Sequence, residues 1–309
     1  MADFRNKAKG FSNPTQLPAN AEEHDLWLNA NKDWWEKNPM RYDFSQSLDS
    51  KEEFSKEFYQ EIDKRFFYAS ADYAPYKKLP FETIIDYNFI ADKNILEIGV
   101  GNGSHAQLLA SHCKSFTGID LTEYAIESTK KRMAIFGIAN ATIMQMNAEQ
   151  LDFPDNSFDY VWSWGVIHHS ANTQKILEEI DRVLKPGGKA VTMVYYRSFW
   201  YYYVFAGFFH GVLKGYLFKE KSFHKVAQRA MDGAIARFYK IHEWKKMCEL
   251  AHLKVNSAEV AGTKAEIILI PPGKFKNKIL KYFPGSISRI LTKNMKMGYL
   301  LISHLSKAD

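Results

Sequence analysis

The sequence predicts an α/β protein whose core is a mostly parallel β-sheet with helices on both faces. From position 94 onwards, short apolar runs that suit buried strands alternate with stretches that suit helices, which is the pattern of consecutive βαβ units. The first of these runs ends in three alternate glycines, a turn that lets the backbone approach a ligand closely. With 309 residues, 46% of them apolar, the chain is long enough for one large core plus additions.

Seven strands are expected, at residues 94–98, 115–119, 141–146, 158–163, 189–195, 254–260 and 298–303. Helix-compatible stretches separate them, among them 104–111 and 241–251. The predicted sheet is therefore seven-stranded and lies in a domain spanning residues 76–309.

Three segments lie outside this alternation. Residues 1–75 are rich in aromatic and charged side chains and are predicted to form a helical extension that covers the ligand sites. Residues 196–240 follow the fifth strand and are far longer than an ordinary connection, which indicates an inserted lid. Residues 263–296 form a second insertion, basic and amphipathic.

Cysteine content and charge narrow the class of protein. Cys113 and Cys248 are too few for a disulfide framework or a zinc site, so we expect no metal. The start of the chain lacks the apolar run of a secretory signal, and a cytoplasmic location is expected. Of the net charge of +6, the excess lies in residues 273–309, which hold eight Lys and Arg against one acid. That segment suits either a solvated amphipathic helix or a surface that meets anions.

The strongest motif follows the first predicted strand. Glu97 precedes Gly99, Gly101 and Gly103, and the helix expected next would present free N–H groups. The next strand ends at Asp120 and Leu121, so a carboxylate can accept both hydroxyls of a ribose while the leucine covers an adenine. Glycine turns of this kind also serve dinucleotides or simple packing. The Gly-x-Gly-x-Gly spacing, however, is not the pyrophosphate fingerprint.

With these motifs the chain resembles the class I methyltransferases, whose domain is Rossmann-like and whose cofactor is S-adenosyl-L-methionine. In that family the glycine loop holds the methionine part of the cofactor, and an acid at the position of Asp120 binds the ribose. The resemblance implies adenine contacts from Asn147, Ala148 and Glu149, although the family more often has Asp at the first of these positions. Two further stretches match the family, 154–159 and 179–189.

The fourth strand is predicted to end near Trp164, followed by His168 and His169. In the family this region lines the methionine end of the cofactor and the acceptor pocket, so we assign Trp164 to cofactor binding. Either histidine can serve as a general base, because imidazole titrates near neutrality. Alternatively, both histidines cap the next helix or hold the loop.

Aromatic side chains are the other candidates for the acceptor site. Residues 34–42 combine two tryptophans with charges, and they suit either cation–π stabilisation of a sulfonium or ordinary packing of the extension. The residues predicted to contact the substrate are Trp35, Arg41, Tyr42, Tyr195 and Tyr203.

Residues 199–218 are aromatic and carry Gly207, Gly211 and Gly215 at the spacing that helices use for close contact. The stretch is nearly long enough to cross a bilayer, but His210 and Lys214 argue against a span. We expect the two insertions to meet over the acceptor pocket. They form either a closed lid, which is the version favoured, or a lipid-facing entrance in which Lys274, Lys276, Lys278 and Lys281 meet anionic lipid.

The sequence thus predicts an enzyme that methylates a small-molecule or lipid acceptor by in-line displacement. The alternative is a catalytically idle methyltransferase-like domain that serves as a binding or scaffold subunit. No nucleic-acid partner is expected, because the basic excess is confined to one segment and no recognisable nucleic-acid-binding module is present. Peripheral membrane contact and the oligomeric state stay open.

Overall fold

A computed structural model describes residues 7–42, 48, 50–268, 270 and 273–308. These residues form an eight-stranded sheet in the order β3-β2-β1-β4-β5-β8-β7, with β6 paired to β5. All neighbours run parallel except β8, which is antiparallel to β5 and β7. The predicted α/β class and the Rossmann-like, mostly parallel sheet are confirmed.

The strands agree with the predicted runs to within a few residues. They are β1 Asn94–Ile98, β2 Ser115–Asp120, β3 Ala141–Gln145, β4 Phe158–Trp164, β5 Leu184–Tyr196, β6 Phe238–Tyr239, β7 Leu253–Ala261 and β8 Leu300–Lys307. Alternate residues of one strand enter different cores, so that Ile95 faces one hydrophobic cluster and Leu96 the other. Both faces of the sheet are therefore covered.

Twelve α-helices surround this sheet within the described residues. They are α1 Ala21–Lys37, α2 Lys56–Ser70, α3 Tyr87–Ile90, α4 Ser104–Ala110, α5 Glu123–Ile135, α6 Thr173–Val183, α7 Tyr216–Glu220, α8 Phe223–Arg229, α9 Ile241–Leu250, α10 Lys264–Ile267, α11 Lys274–Tyr282 and α12 Gly285–Arg289. Residues Phe199–Leu213 form a π-helix, and Ile290–Asn294 form a shorter one.

The first insertion is shorter than predicted, because its end belongs to the sheet. Phe238 and Tyr239 form β6, which pairs in parallel with Tyr195 and Tyr196. A strand of two residues gives no periodicity in the sequence, so the run escaped prediction. The inserted part is the π-helix with α7 and α8, which we call the helical hairpin (residues 199–229). Among the described residues, no helix is long and apolar enough to cross a membrane.

The N-terminal extension packs on the sheet through α1 and α2. Asn20 caps α1 and Ser55 caps α2, each accepting a backbone N–H of the first turn. Trp27 is fully buried, and its indole donates to the Lys9 carbonyl over 2.8 Å. Arg237 lies over the Trp27 and Phe11 rings at 5.9 and 5.0 Å, so the residue just before β6 helps to hold the extension.

A buried guanidinium joins the extension to the glycine-rich turn. Arg132 on α5 donates to the Asn102 carbonyl at 3.0 Å and to Gln107 at 2.8 Å, and it forms an ion pair with Asp63 of α2. Asn102 in turn donates to the Met40 carbonyl over 2.7 Å. The turn and the extension are therefore fixed by one network.

We predict that Arg132→Met lowers the free energy of unfolding by about 3 kcal/mol, because a buried ion pair and its hydrogen bonds lose one partner. Denaturant unfolding followed by circular dichroism measures the change. Lys130→Met on the same helix is the control, since Lys130 is exposed and the change should stay within about 0.5 kcal/mol. Equal unfolding midpoints for the two variants would contradict this role of Arg132.

Candidate functional site

A cavity of about 510 Å³ opens where β1, β2, β4 and β5 end. Thirteen of the residues predicted from the sequence line it: Trp35, Tyr42, Glu97, Gly99, Gly101, Asp120, Leu121, Asn147, Ala148, Glu149, Trp164, His169 and Tyr195. The carboxyl ends of adjacent parallel strands meet at one edge of the sheet. This is why residues distant in the sequence come together here.

The glycine-rich turn has the backbone geometry that only glycine adopts readily. Gly99 has φ +83°, and a Cβ there would lie 2.2 Å from the Val166 side chain. Gly101 has φ +52°, and a Cβ there would meet no atom within 4 Å. The first glycine therefore permits close packing beneath the turn, whereas the second leaves the cavity side open.

Asp120 is fixed by three hydrogen bonds. Its Oδ2 accepts from the Gly101 amide at 3.1 Å, and its Oδ1 accepts from the Thr122 amide and hydroxyl at 3.0 and 2.8 Å. Burial raises the pKa of the carboxyl against the effect of these bonds. The side chain is thus oriented before any ligand binds.

Glu97 is a second buried carboxyl at this end of the cavity. It is about 1% exposed, and its Oε2 has no hydrogen-bond partner among the described residues. Burial and the nearby Asp120 raise its pKa well above the ordinary range. The Oε1 atom lies 3.9 Å from the His105 ring, which burial keeps neutral. The free Oε2 suits a ligand that brings a positive charge or a donor.

The residues predicted to contact adenine divide into two roles. Asn147 uses its Oδ1 to accept the Glu149 amide at 3.0 Å, and its Nδ2 makes no hydrogen bond to a described residue. Glu149 is already engaged, because its oxygens contact the His24 ring at 2.7 Å and the Asn172 amide at 2.9 Å. Glu149 therefore joins the loop after β3 to α1, and Asn147 keeps free donors.

Aromatic rings form part of the cavity wall. Trp164 stacks on Trp162 with centroids 5.0 Å apart and planes 5° apart. Trp35 meets the His169 ring at 5.0 Å in an edge contact. Ring faces and edges from β4 and from the extension thus line the same space.

The tandem histidines differ in position. His169 lines the cavity, and its Nδ1 donates to the Ile235 carbonyl at 2.6 Å, which leaves Nε2 as an acceptor. Burial lowers its pKa to about 3, so the ring is neutral at physiological pH. His168 is fully buried against Tyr195, with ring centroids 3.9 Å apart, and it is not among the lining residues. This position suits packing, and the assignment of His168 to catalysis stays a prediction without support from the cavity.

Three further predicted residues are not among those that line the cavity. Gly103 is the N-cap of α4, and a Cβ there would lie 3.0 Å from the Arg132 side chain. Arg41 pairs with Glu53 and lies 5.5 Å from the Tyr124 ring centroid. Tyr203 is 38% exposed on the outer side of the π-helix. The expected cofactor contact of Gly103 and the expected substrate contacts of Arg41 and Tyr203 stay predictions that this cavity does not support.

The far end of the cavity contains acids and phenols that sequence reasoning missed. Asp232 and Glu266 line it together with Tyr73 and Tyr299. Burial raises the pKa of Asp232, and burial raises that of Glu266 to about 8. A usable signal was present in the sequence, because Glu266 is the only acid of residues 263–296.

The two insertions meet at this end. Asp232 follows the helical hairpin and Glu266 lies on α10, and both line the same cavity. The Trp200 indole donates to the Glu266 carbonyl over 3.3 Å. The expectation that both insertions border one pocket therefore agrees with the geometry.

Comparison with known proteins identifies the central part of the chain. Residues 96–192 match the family described as "Methyltransferase domain". One chain in the solved complex of the Haloferax volcanii Trm112 methyltransferase activator with a methyltransferase superposes with a TM-score of 0.52 at 17% identity, covering 82% of this chain and 96% of that one. That likeness shows the fold.

Curated relatives match the same region. The phthiotriol/phenolphthiotriol dimycocerosates methyltransferase of Mycobacterium tuberculosis is 36% identical over 32% of this chain and 36% of its own length. The ubiquinone/menaquinone biosynthesis C-methyltransferase UbiE of Zymomonas mobilis is 37% identical over 36% of this chain and 46% of its own. The matches thus span less than half of these relatives.

The matched region is a class I S-adenosylmethionine-dependent methyltransferase domain.

Glu266 makes stability depend on pH. A carboxyl whose folded pKa lies near 8 keeps its proton between pH 5 and 8, whereas the unfolded chain loses it, so stability falls as pH rises through this range. We predict that Glu266→Gln removes at least about 1 kcal/mol of that fall, since one pKa unit is worth about 1.4 kcal/mol. Denaturant unfolding at pH 5 and pH 8.5 measures it.

Glu259→Gln is the matched control, because Glu259 is an exposed acid paired with Lys293. Its stability should follow the same pH dependence as that of the unmodified protein. If Glu266→Gln loses stability with pH as steeply as this control, the carboxyl of Glu266 is ionised in the folded protein.

Proposed function

We propose that the protein transfers a methyl group from S-adenosylmethionine to a small lipophilic acceptor that carries a hydroxyl or carbonyl group. One observation carries this proposal. A single cavity runs from the glycine-rich turn and Asp120 to an end lined by tyrosines, Asp232 and Glu266.

The cofactor end offers a donor or acceptor for each polar part of the ligand. Asp120 is oriented to accept ribose hydroxyls, and Asn147 retains donors for an adenine edge. Leu121 supplies an apolar surface for the base. The free Oε2 of Glu97 suits the ammonium of the methionine part, and a bound cation would favour the charged form of the carboxyl.

When bound, the cofactor supplies an electrophilic methyl group on a sulfonium. The residues of the chain then have to orient the acceptor and exclude water. Trp164 and Trp35 both line the cavity, and aromatic faces stabilise a nearby cation. Trp35 belongs to the N-terminal extension, so the extension takes part in excluding solvent.

Most of the polar groups at the acceptor end are neutral at neutral pH. Burial raises the pKa of Tyr42 and Tyr73 above the ordinary value, and Glu266 with a pKa of about 8 is mostly protonated. His169 is neutral and offers Nε2 as an acceptor. Neutral donors and acceptors among apolar side chains suit a ligand that is largely apolar with few polar groups.

The names of the relatives point the same way. One of them methylates phthiotriol and phenolphthiotriol dimycocerosates, and another acts in ubiquinone and menaquinone biosynthesis. These names support a lipophilic acceptor, and the aromatic lining supports it independently.

The acceptor can be identified directly. The protein is incubated with methyl-labelled cofactor and with separate polar and lipid extracts, and the labelled products are found by mass spectrometry. The proposal expects label in a lipid-extract compound. Label only in polar metabolites would contradict the lipophilic acceptor, and cofactor binding without any labelled product would favour the idle binding subunit.

Asp120→Ala should weaken S-adenosylmethionine binding at least tenfold, because charge-assisted hydrogen bonds contribute about 1.5–3 kcal/mol. Isothermal titration calorimetry measures the affinity. Asp120 also holds the Gly101 amide, so Asp120→Asn is a second variant that keeps one acceptor oxygen. Asp152→Ala changes an exposed acid and should leave the affinity unchanged. Unchanged affinity in a folded Asp120→Ala variant would exclude this site.

His169→Gln should lower kcat/KM for the acceptor by about tenfold to a hundredfold without changing cofactor affinity, because it removes the Nε2 acceptor. Since the pKa of His169 is about 3, the rate should show no inflection from this group between pH 5 and 7. An inflection near pH 6.5 that disappears in His169→Gln would instead indicate a titrating general base. His168→Gln should reduce stability alone.

A further inference from the structure

The π-helix of the helical hairpin is apolar on the side that faces solvent. Its exposed residues Phe199, Tyr203, Phe208 and Val212 lie four or five positions apart, which is one turn of a helix with i→i+5 hydrogen bonds. These side chains form a single outward stripe. A surface helix normally places polar residues on this side.

The opposite side of the same helix is already used for packing inside the hairpin. A Cβ at Gly207 would lie 2.2 Å from the Phe223 ring, and one at Gly211 would lie 3.6 Å from Leu217. The small-residue face thus holds α7 and α8 against the π-helix. The outward stripe is left without a partner among the described residues.

Exposed lysines surround large apolar side chains at the end of the hairpin. Leu213 is 64% exposed and Phe218 is 81% exposed. Lys214, Lys219 and Lys221 are exposed beside them. Long basic side chains next to exposed apolar groups are typical of helices that lie at a membrane surface.

Helix α11 repeats this composition. It has no buried residue, and Phe275 and Tyr282 are 68% and 71% exposed. Lys276 interacts electrostatically with Glu266 on α10, and α10 contacts the π-helix through Trp200. This interaction places Lys276 of α11 near the acceptor end of the cavity, where α10 contacts the hairpin.

Charge and exposed apolar surface coincide. Residues 196–240 and 263–296 carry 16 Lys and Arg against three acids, a net +13, whereas the rest of the chain carries a net −7. Twelve of the eighteen exposed large apolar side chains lie in these two segments. A nucleic acid would pair with the lysines but leave the apolar stripe in water, whereas an anionic bilayer satisfies both.

We propose that the helical hairpin and α11 form a docking face for the surface of an anionic phospholipid bilayer. The lysines interact with the headgroups, and the apolar side chains enter the interfacial region without spanning the membrane. Docking in this orientation brings the acceptor end of the cavity towards the bilayer. The docking itself is independent of the proposed function. The additional idea that the protein takes its acceptor from the bilayer does rest on the proposed function.

Vesicle sedimentation tests the proposal without any methyl transfer. The full chain is mixed with phosphatidylcholine vesicles, alone or with about 30% phosphatidylglycerol. At about 50 mM salt we expect binding to the anionic vesicles only, with release at about 500 mM salt as screening increases. Protein that stays in the supernatant with anionic vesicles at low salt would overturn the proposal.

Two variants separate charge from apolar contact. The triple change Lys274→Gln, Lys278→Gln and Lys281→Gln should weaken partitioning at least tenfold. The charge-matched control Lys130→Gln, Lys245→Gln and Lys246→Gln alters exposed lysines elsewhere and should leave partitioning within about twofold. An equal loss of vesicle partitioning in both variants would mean that the net charge of the protein alone attracts it to the vesicles, which would contradict the proposal.

The double change Leu213→Ser and Phe218→Ser should also weaken partitioning at least tenfold, while cofactor affinity confirms folding. Undiminished binding of this variant, displaced by added RNA, would indicate a polyanion site and overturn the proposal. The other partner that could cover the apolar stripe is a second copy of the chain. Light scattering that shows a dimer of the unmodified protein, converted to monomer by this double change, would overturn it as well.

Discussion

The glycine-rich end of the cavity depends on one buried guanidinium. Arg132 holds the turn after β1 from beneath and pairs with Asp63 of the N-terminal extension. A glycine-rich turn has little side-chain packing of its own, so its shape has to be imposed by neighbours. Here the Arg132 side chain both fixes the shape of the turn and joins the N-terminal extension to the turn. The extension is therefore part of the site.

The opposite end of the cavity is lined mainly by neutral polar groups. Its polar groups come from the extension, from the end of the first insertion and from α10, and burial keeps most of them neutral. Neutral groups interact with a ligand through directional hydrogen bonds, and they cost less to desolvate than charges. The two ends of the cavity thus differ in chemistry. One end has buried acids and free donors that suit a charged ligand, and the other end suits a largely apolar ligand.

The sequence predicted those parts whose signal is local. Strands with continuous apolar runs, the glycine turn and Asp120 follow from residue order alone, and thirteen predicted residues line the cavity. Parts that depend on long-range packing were missed. Asp232 and Glu266 join the site only because two distant insertions converge, and His168 and His169 differ only in which neighbour each one faces. A two-residue strand such as β6 becomes recognisable only when it pairs with β5.

The point where the helical hairpin leaves the sheet has an evolutionary consequence. The Arg197 amide donates to the Tyr239 carbonyl over 2.9 Å, so the two ends of the insertion are adjacent. The entropy of closing such a loop grows only slowly with its length. Residues between these ends can therefore be lengthened, shortened or exchanged while the sheet keeps its register. The hairpin can therefore change among related chains, whereas the turn held by Arg132 stays under a separate constraint.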